Sequence, residues 1–386
     1  MTVLPGRRKK YYFAQAIMKV KSKLSLFDKL ILWLNCFLCL ALLISYLAPV
    51  ADPKKAWFIA FFGLVYPFLL MANLIMIIYW LLRKKWYLFL SVLSIACGWT
   101  VMSNTIGFNK PIKDPALKSG KIIRMMTYNV HNFKRYGSKN DISTKQEILQ
   151  IINQQQPDII GIQEFYTRGH GQYDMRDSIL KIMASDFYYF EPIIFNSDES
   201  IGIAIFSKFP IIDHGMIPIS EKLNENACIY VDLRKGDQEF RVYSVHLKSI
   251  GFDPEDYKYI NSITHQGSTD ISSTRRLGSK LKNAFIKRSG QVTKIKEHVA
   301  QCPYPYIISG DFNDTPTSYA VNEMSRGLKN AFHEKGVGFG RTYNGAFPNF
   351  QIDYIMASPQ FDINNYLIIE KKLSDHYPVR SDLQLR

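Results

Sequence analysis

The chain has 386 residues, 48 of them Lys or Arg and 33 Asp or Glu, and 47% of it is apolar; it is too long for one ordinary domain and too apolar for a disordered one. Its formal charge of +15 invites a nucleic-acid partner, but residues 1–120 hold 16 of the basic residues against 3 acids, leaving 32 and 30 for residues 121–386. The excess therefore belongs to the N-terminal part, where it reports on membrane topology more than on DNA binding.

Residues 1–29 read as a basic segment. Three apolar stretches follow at 30–50, 56–82 and 87–108, each near the ~20 residues that cross a bilayer. They are predicted to be transmembrane helices, and several long runs without a small-residue cleavage pattern do not fit a cleavable signal peptide. The third is the most polar, with Ser91, Ser94, Cys97, Gly98 and Thr100. Eight basic residues from Arg7 to Lys29 precede the first stretch, and Arg83, Lys84 and Lys85 separate the second from the third. Opposite them stand Lys54, Lys55, Lys110, Lys113, Lys118 and Lys121. The positive-inside rule then places the N-terminus in the cytoplasm, and three crossings put the remaining chain outside, at an inner or plasma membrane. Without the third crossing that part would be cytosolic.

Residues 109–120 mix Pro, Lys, Gly and Ser and read as a linker, and a globular domain is expected from Lys121 to Arg386. Strand-like runs fall at 121–130, 158–164, 188–195, 201–206, 227–234, 239–248, 304–311, 352–357 and 378–384. Helical periodicity is best at 143–155, 173–184, 276–300 and 317–325. This interleaving, with adjacent strand pairs, predicts an α/β domain with mixed sheets. Residues 251–274 are polar without a clear period and read as a long surface loop. Cys228 and Cys302, the two cysteines of this half, read as small buried residues, and no zinc-type spacing occurs. Nothing points to a protein partner.

Five apolar runs end in side chains that bind metals or phosphate: TYNVHNF with Asn129, IIGIQEF with Glu164, VYSVHLKS with His246, ISGDFNDTP with Asp311 and Asn313, and SDHYPV with Asp375 and His376. The carboxyl ends of strands are where α/β sheets hold ligands. Hard oxygen donors with two imidazoles suit one magnesium-type ion and a phosphate, which is the chemistry of phosphoester hydrolysis. Asp311 and Asn313 alternate along extended backbone and so can face one side. A basic run from Arg275 to Arg288 scatters around its helix and reads as a solvated surface rather than a polyanion contact.

With QIDYI at 351–355, these motifs resemble, in order, those of the endonuclease/exonuclease/phosphatase superfamily, metal-dependent phosphoesterases that include deoxyribonuclease I, exonuclease III, neutral sphingomyelinases and inositol-polyphosphate 5-phosphatases. The resemblance covers about residues 121–386. It implies a two-sheet, four-layer sandwich of the deoxyribonuclease I-like type, here preceded by transmembrane helices, and a Mg2+ cofactor, with Mn2+ as a substitute. It implies that Asn129, Glu164 and Asp375 lie at the metal, that Asp311 orients or deprotonates water, and that Asn313 contacts phosphate. His376 would act at the scissile phosphate with Asp353 as its orienting carboxylate. His246 stands where relatives acting on nucleic acid, sphingomyelin and inositol phosphates carry a phosphate-contacting His, unlike the Asn-x-Tyr pattern of abasic-site enzymes. Arg288 and Gln291 resemble the family's Arg-x-x-Gln helix, suited to bracing or to substrate contact, and Lys208 stands where relatives often have a basic residue near phosphate. His131 and the other histidines have no motif behind them and read as surface or packing residues. The expectation is a membrane-anchored, metal-dependent phosphoesterase acting on a lipid headgroup, nucleic acid or inositol phosphate; the alternatives are an extracytoplasmic nuclease and a noncatalytic tethered binding domain.

Overall fold

A computed structural model describes residues 24–110, 120–134, 142–220, 226–267, 269–345 and 350–386. Most of the basic N-terminal segment and of the 109–120 linker lies outside them. In chain order the helices are α1 Leu26–Ser45, α2 Pro53–Leu64, α3 Tyr66–Leu82, α4 Leu88–Cys97, α5 Trp99–Thr105, α6 Ile142–Gln155, α7 Met175–Met183, α8 Pro254–Gln266, α9 Ile271–Val299, α10 Tyr319–Ser325 and α11 Ala331–Lys335. The strands are β1 Gly107–Phe108, β2 Ile122–Asn129, β3 Ile159–Arg168, β4 Phe187–Phe195, β5 Glu199–Ser207, β6 Ile211–Ile217, β7 Ala227–Lys235, β8 Gln238–His246, β9 Tyr306–Asp311, β10 Lys329–Asn330, β11 Val337–Gly338, β12 Asp353–Ala357, β13 Phe361–Ile368 and β14 Val379–Leu385.

The chain forms two compact units. One joins the described residues up to Leu42 with Phe68–Cys97; the other joins the described residues of Leu43–Pro67 and Gly98–Arg386. In the first, polar side chains satisfy one another between apolar helices: Trp80 Nε1 donates to Asn35 Oδ1 at 2.7 Å, Asn35 Nδ2 to Ser91 Oγ at 2.8 Å, and Ser91 Oγ to Asn73 Oδ1 at 2.9 Å. Among the described residues only α1 is by itself long and apolar enough to cross a membrane; α2 with α3 and α4 with α5 are that long and apolar only as pairs, each interrupted by a break. The expected helices at 56–82 and 87–108 are thus each broken. The first break has a local cause in Pro67, which has no N–H to offer the Gly63 carbonyl four residues earlier; Thr317 Oγ1 donates to that carbonyl instead, at 2.7 Å. At the second break, a Cβ on Gly98 would lie 2.0 Å from the Tyr46 ring, so a side chain has no room there. The 10-residue α4 spans about 15 Å, half a hydrocarbon core.

The second unit holds two six-stranded sheets, ordered β13-β14-β2-β3-β5-β4 and β10-β12-β9-β8-β7-β6. Each has one parallel pair near its middle, β2 with β3 and β8 with β9, and antiparallel neighbours elsewhere. Alternating apolar residues such as Met125, Ile159, Ile205, Ile229, Val242 and Ile307 fill the layer between them. The outer faces are covered by α6 and α7 on one sheet and by α9 and α10 on the other. This is the α/β sandwich the motifs implied. The expected strands are present, and β6, β13 and the two-residue β1, β10 and β11 are added to them. The stretch 251–274 is not a loop. It holds α8, started by Pro254 at its first position and by the Asp253 N–H donating to Asp256 Oδ2 at 2.9 Å. Buried Asp256 also takes Arg276 Nε at 2.8 Å and Lys280 Nζ at 2.6 Å, so two cations of the basic run are internal partners.

Within the second sheet, β8 and β9 approach closely at a glycine, Gly310, which pairs with Val245. Gly310 has φ +141, and a Cβ there would lie 2.0 Å from the Val245 carbonyl oxygen. Gly310→Ala is expected to destabilise the full-length protein by more than about 3 kcal/mol, lowering its melting temperature by about 10 °C in thermal denaturation.

Candidate active site

Strand direction brings the functional side chains to one place. β2 and β3 run parallel and their pairing ends at Asn129 and Gln163, beside Glu164; β8 and β9 run parallel, with His246 opposite Asp311. Asp353 opens β12 antiparallel to β9, opposite the same Asp311. β14 runs antiparallel to β2, with Val379 opposite Thr127, so the preceding Asp375 and His376 return to that end. A Ser374 hydroxyl ties this segment down by donating to the Asn129 carbonyl at 2.8 Å.

Asp311, 1% exposed, is the hub. Its Oδ2 lies 3.6 Å from His246 Nε2 and 3.6 Å from His376 Nε2, and accepts from Asn129 Nδ2 at 3.1 Å and Asn313 Nδ2 at 3.1 Å. Its Oδ1 accepts the Asn313 N–H at 2.8 Å. Burial pushes the Asp311 carboxyl up to about 6, against the opposing pull of the two histidines. His376 Nδ1 sits 3.0 Å from Asp353 Oδ2. Burial disfavours its charge, but Asp353, Asp311 and Asp375 together outweigh that and raise its pKa well above the usual histidine value.

The opposite wall is more open. Glu164 lies on a bulge where the β3–β5 register shifts, with φ +51 turning its carboxylate toward the site. Burial works against its charge, yet His131 and His246 hold its pKa low, at about 2. His131, which no motif singled out, places Nδ1 3.5 Å from Glu164 Oε2 and 3.7 Å from Asp375 Oδ1. Its hydrogen bond to Glu164 raises its pKa despite burial. The signal for it was its place two residues after Asn129, in a run of three left-handed residues, His131–Phe133, that folds the chain back over the strand end; the His131 N–H donates to Asn129 Oδ1 at 3.1 Å.

Glu164 and Asp375, partly exposed in the cleft, and the Asn129 amide are hard oxygen donors that fit a magnesium-type ion keeping several waters. The His131 imidazole, whose pKa Glu164 and Asp375 raise, lies between the two carboxylates and marks the same position as one that favours positive charge. Asp311, Asp353 and His376 also bring ligand atoms within 4.8 Å of one another. That trio is wholly buried and its His–Asp pair is already joined, so the more exposed set is the better metal candidate.

Two expected substrate contacts sit differently. Lys208 is not in the cleft: it follows β5, whose end pairs with Ile159 at the start of β3, and its Nζ lies 3.7 Å from Asp158 at the sheet's other end. The antiparallel course of β5 is the reason. Arg288 lines the cleft but is buried, donating from Nε to Asp314 Oδ2 at 2.8 Å and from Nη1 to the Lys248 carbonyl at 2.9 Å. Gln291 accepts the Lys248 N–H at 2.9 Å. Arg288 and Gln291 therefore brace the loops after β8 and β9.

A two-sheet α/β sandwich with imidazoles, carboxylates and amides gathered at one strand-end cleft of about 240 Å³ is the architecture of deoxyribonuclease I-like proteins. Residues 126–376 match the model of the Endonuclease/Exonuclease/phosphatase family, and the chain belongs to that family. Residues 28–105 match a domain of unknown function, DUF8431. Among solved structures the chain is similar to an endonuclease/exonuclease/phosphatase from Beutenbergia cavernae DSM 12333, at TM-score 0.50 and 19% identity over 69% of this chain and 72% of that one. It is also similar to a family protein from Bacteroides thetaiotaomicron, at 0.49 and 18% over 69% and 98%. A mannosyl-6-phosphatase from Bacteroides thetaiotaomicron VPI-5482 matches at 0.46 and 18% over 68% and 99%. The sequence matches none of the curated proteins compared with it.

Because the folded state raises the Asp311 pKa, it binds more protons than the unfolded chain between the ordinary carboxylate range and about pH 6, and stability falls as pH rises through that window. Asp311→Asn removes the cost of the buried charge. In EDTA at pH 7.5 the variant is expected to melt roughly 5 °C above wild type, with the difference shrinking toward zero at pH 4. Melting curves at the two pH values check this.

Proposed function

We propose that the protein is a membrane-anchored, magnesium-dependent phosphoesterase that hydrolyses its substrate by in-line attack of water. The observation carrying this reading is the convergence on one buried carboxylate, Asp311, of two imidazoles and two amides from four different elements. In this mechanism Asp311 orients the attacking water and accepts its proton, a task suited to a carboxylate whose pKa is raised toward neutrality. His376, kept cationic by the surrounding aspartates, stabilises the charge that builds on the phosphoryl oxygens, and Asp353 fixes its ring. His246 and Asn313 position the phosphoryl group. Glu164, Asp375 and Asn129 would hold Mg2+ or Mn2+, which supplies Lewis-acid polarisation of the phosphate when bound.

We place the anchor at α1, with the N-terminus cytoplasmic and the catalytic unit outside. The surplus of basic residues before α1 and between α3 and α4 supports that orientation. Because Leu43–Pro67 and Gly98–Arg386 belong to one unit, the course of residues 68–97 does not alter which side that unit occupies. The side depends on α1 alone.

Full-length protein in detergent with magnesium is expected to hydrolyse at least one of bis-p-nitrophenyl phosphate, plasmid DNA, sphingomyelin and an inositol polyphosphate. EDTA should abolish the activity, and magnesium or manganese restore it. Asp311→Ala and His376→Ala should each lower kcat/KM roughly 10³-fold, whereas Lys208→Ala should leave it within about twofold. Activity that survives chelation would remove the metal from the reading. In wild type, kcat/KM should fall as pH drops through about 6, because protonated Asp311 cannot accept a proton; a flat profile down to pH 4.5 would assign the base elsewhere. For topology, an alkaline phosphatase fused after Arg386 should be active, and a silent one would invert the orientation.

A further inference from the structure

Helix α2 lies in the catalytic unit, and its last residue reaches the catalytic cleft. Both its ends are fixed there. Ser289 Oγ donates to Asp52 Oδ1 at 2.6 Å, just before the helix, and Thr317 Oγ1 donates to the Gly63 carbonyl. A Cβ on Gly63 would lie 2.9 Å from the Thr317 oxygen, so the helix sits directly on the loop that follows Asp311 and Asn313. Between these ends Phe61 meets Phe285 of α9 edge-on at 5.4 Å, Trp57 meets Phe61 at 6.0 Å, and the Lys282 ammonium lies 4.6 Å above the Trp57 ring.

Leu64 and Phe285 line the same cleft as Asp311 and His376, and Ile250, Phe252 and Phe350 extend this apolar wall. A phosphate at the two histidines is therefore offered both charged groups and hydrocarbon surface within one cleft. No lysine lines the cleft among the described residues, and its guanidinium, Arg288, is held by Asp314 and Lys248. A polynucleotide, which needs cations along its backbone, is poorly matched. Outward along α2 the apolar character continues in Trp57 and Phe58, 39% and 54% exposed, and α2 with α3 is together long and apolar enough for a bent membrane span.

We propose that the substrate is a phosphate ester of a membrane lipid, that its hydrocarbon part lies along Leu64 and Phe285, and that α2 is the element that selects for it. This rests on the phosphoesterase reading above and narrows it to one substrate class. A water-soluble phosphoester would leave the wall unused.

The test uses full-length protein in lipid nanodiscs with magnesium, and methyl, butyl and hexyl phosphate as probes below their aggregation concentrations. Titration calorimetry, corrected with empty nanodiscs, measures binding whether or not turnover occurs. Hexyl phosphate should bind roughly tenfold or more tightly than methyl phosphate, since each buried methylene contributes to affinity. In Leu64→Asn and in Phe285→Ala that ratio should collapse toward one; the milder Leu64→Ala, which should lower the ratio in the same direction, serves if these do not fold. An affinity independent of chain length in wild type, or a ratio unchanged in a folded variant, overturns the proposal. Absence of hydrolysis on every substrate of the earlier panel sinks the phosphoesterase reading separately.

Discussion

A carboxylate held away from water organises this domain. Asp311 ends a central strand, and an uncompensated charge there would cost several kcal/mol. The structure surrounds it with two amide donors, a backbone N–H and two imidazoles, and those partners come from β2, β8, the segment before β14 and the turn after β9. Each can reach the carboxylate only if its strand has the observed direction and register. The parallel β8–β9 pair sets His246 beside Asp311, and the antiparallel β9–β12 pair sets Asp353 across from it, behind His376. The chemistry and the topology are thus one constraint seen from two sides.

The same end of the sandwich carries backbone strain. Glu164, Asn313 and the run His131–Phe133 all have φ between +46 and +58, and Gly310 has φ +141. Non-glycine residues in this region cost roughly 1–3 kcal/mol each and persist where their surroundings leave no alternative. Here those surroundings are the inter-sheet layer and cross-sheet bonds such as Gln163 Nε2 to Ser244 Oγ at 3.0 Å. At Glu164 the strain has an identifiable use, since the bulge aims a side chain that a regular strand would send elsewhere.

Much of this was legible in the sequence because it depends on local pattern. Apolar runs ending in Asn129, Glu164, His246 and Asp311 identify both the strands and the end at which the site lies, and the α/β sandwich follows. What escaped depends on the path of the chain. Lys208 follows a strand just as the site residues do, but β5 runs the other way, and sequence alone carries no direction. His131 reaches the site through three left-handed residues, a conformation that its residue types do not announce. Helix α8 was hidden because its polar face is internal: Asp256 is buried against Arg276 and Lys280, so the hydrophobic period that marks a helix is diluted.

The break between α2 and α3 shows how one residue couples apolar sequence to catalytic structure. By hydropathy residues 56–82 read as a single helix. Pro67 denies the Gly63 carbonyl its helical partner four residues on, leaving it the Val65 N–H of the turn and open to a further donor. It comes from Thr317, six residues beyond Asp311 and on the same loop as Asn313 and the Arg288-bound Asp314. The hydrogen bond that repairs the helix end thus also ties α2 to the loop presenting the catalytic carboxylate. Displacing α2 would take from the Gly63 carbonyl its Thr317 donor and remove the apolar support of Phe285, beside Arg288 on α9. A segment composed like a membrane helix is in this way a structural part of the cleft, and the cleft cannot be understood from residues 121–386 alone.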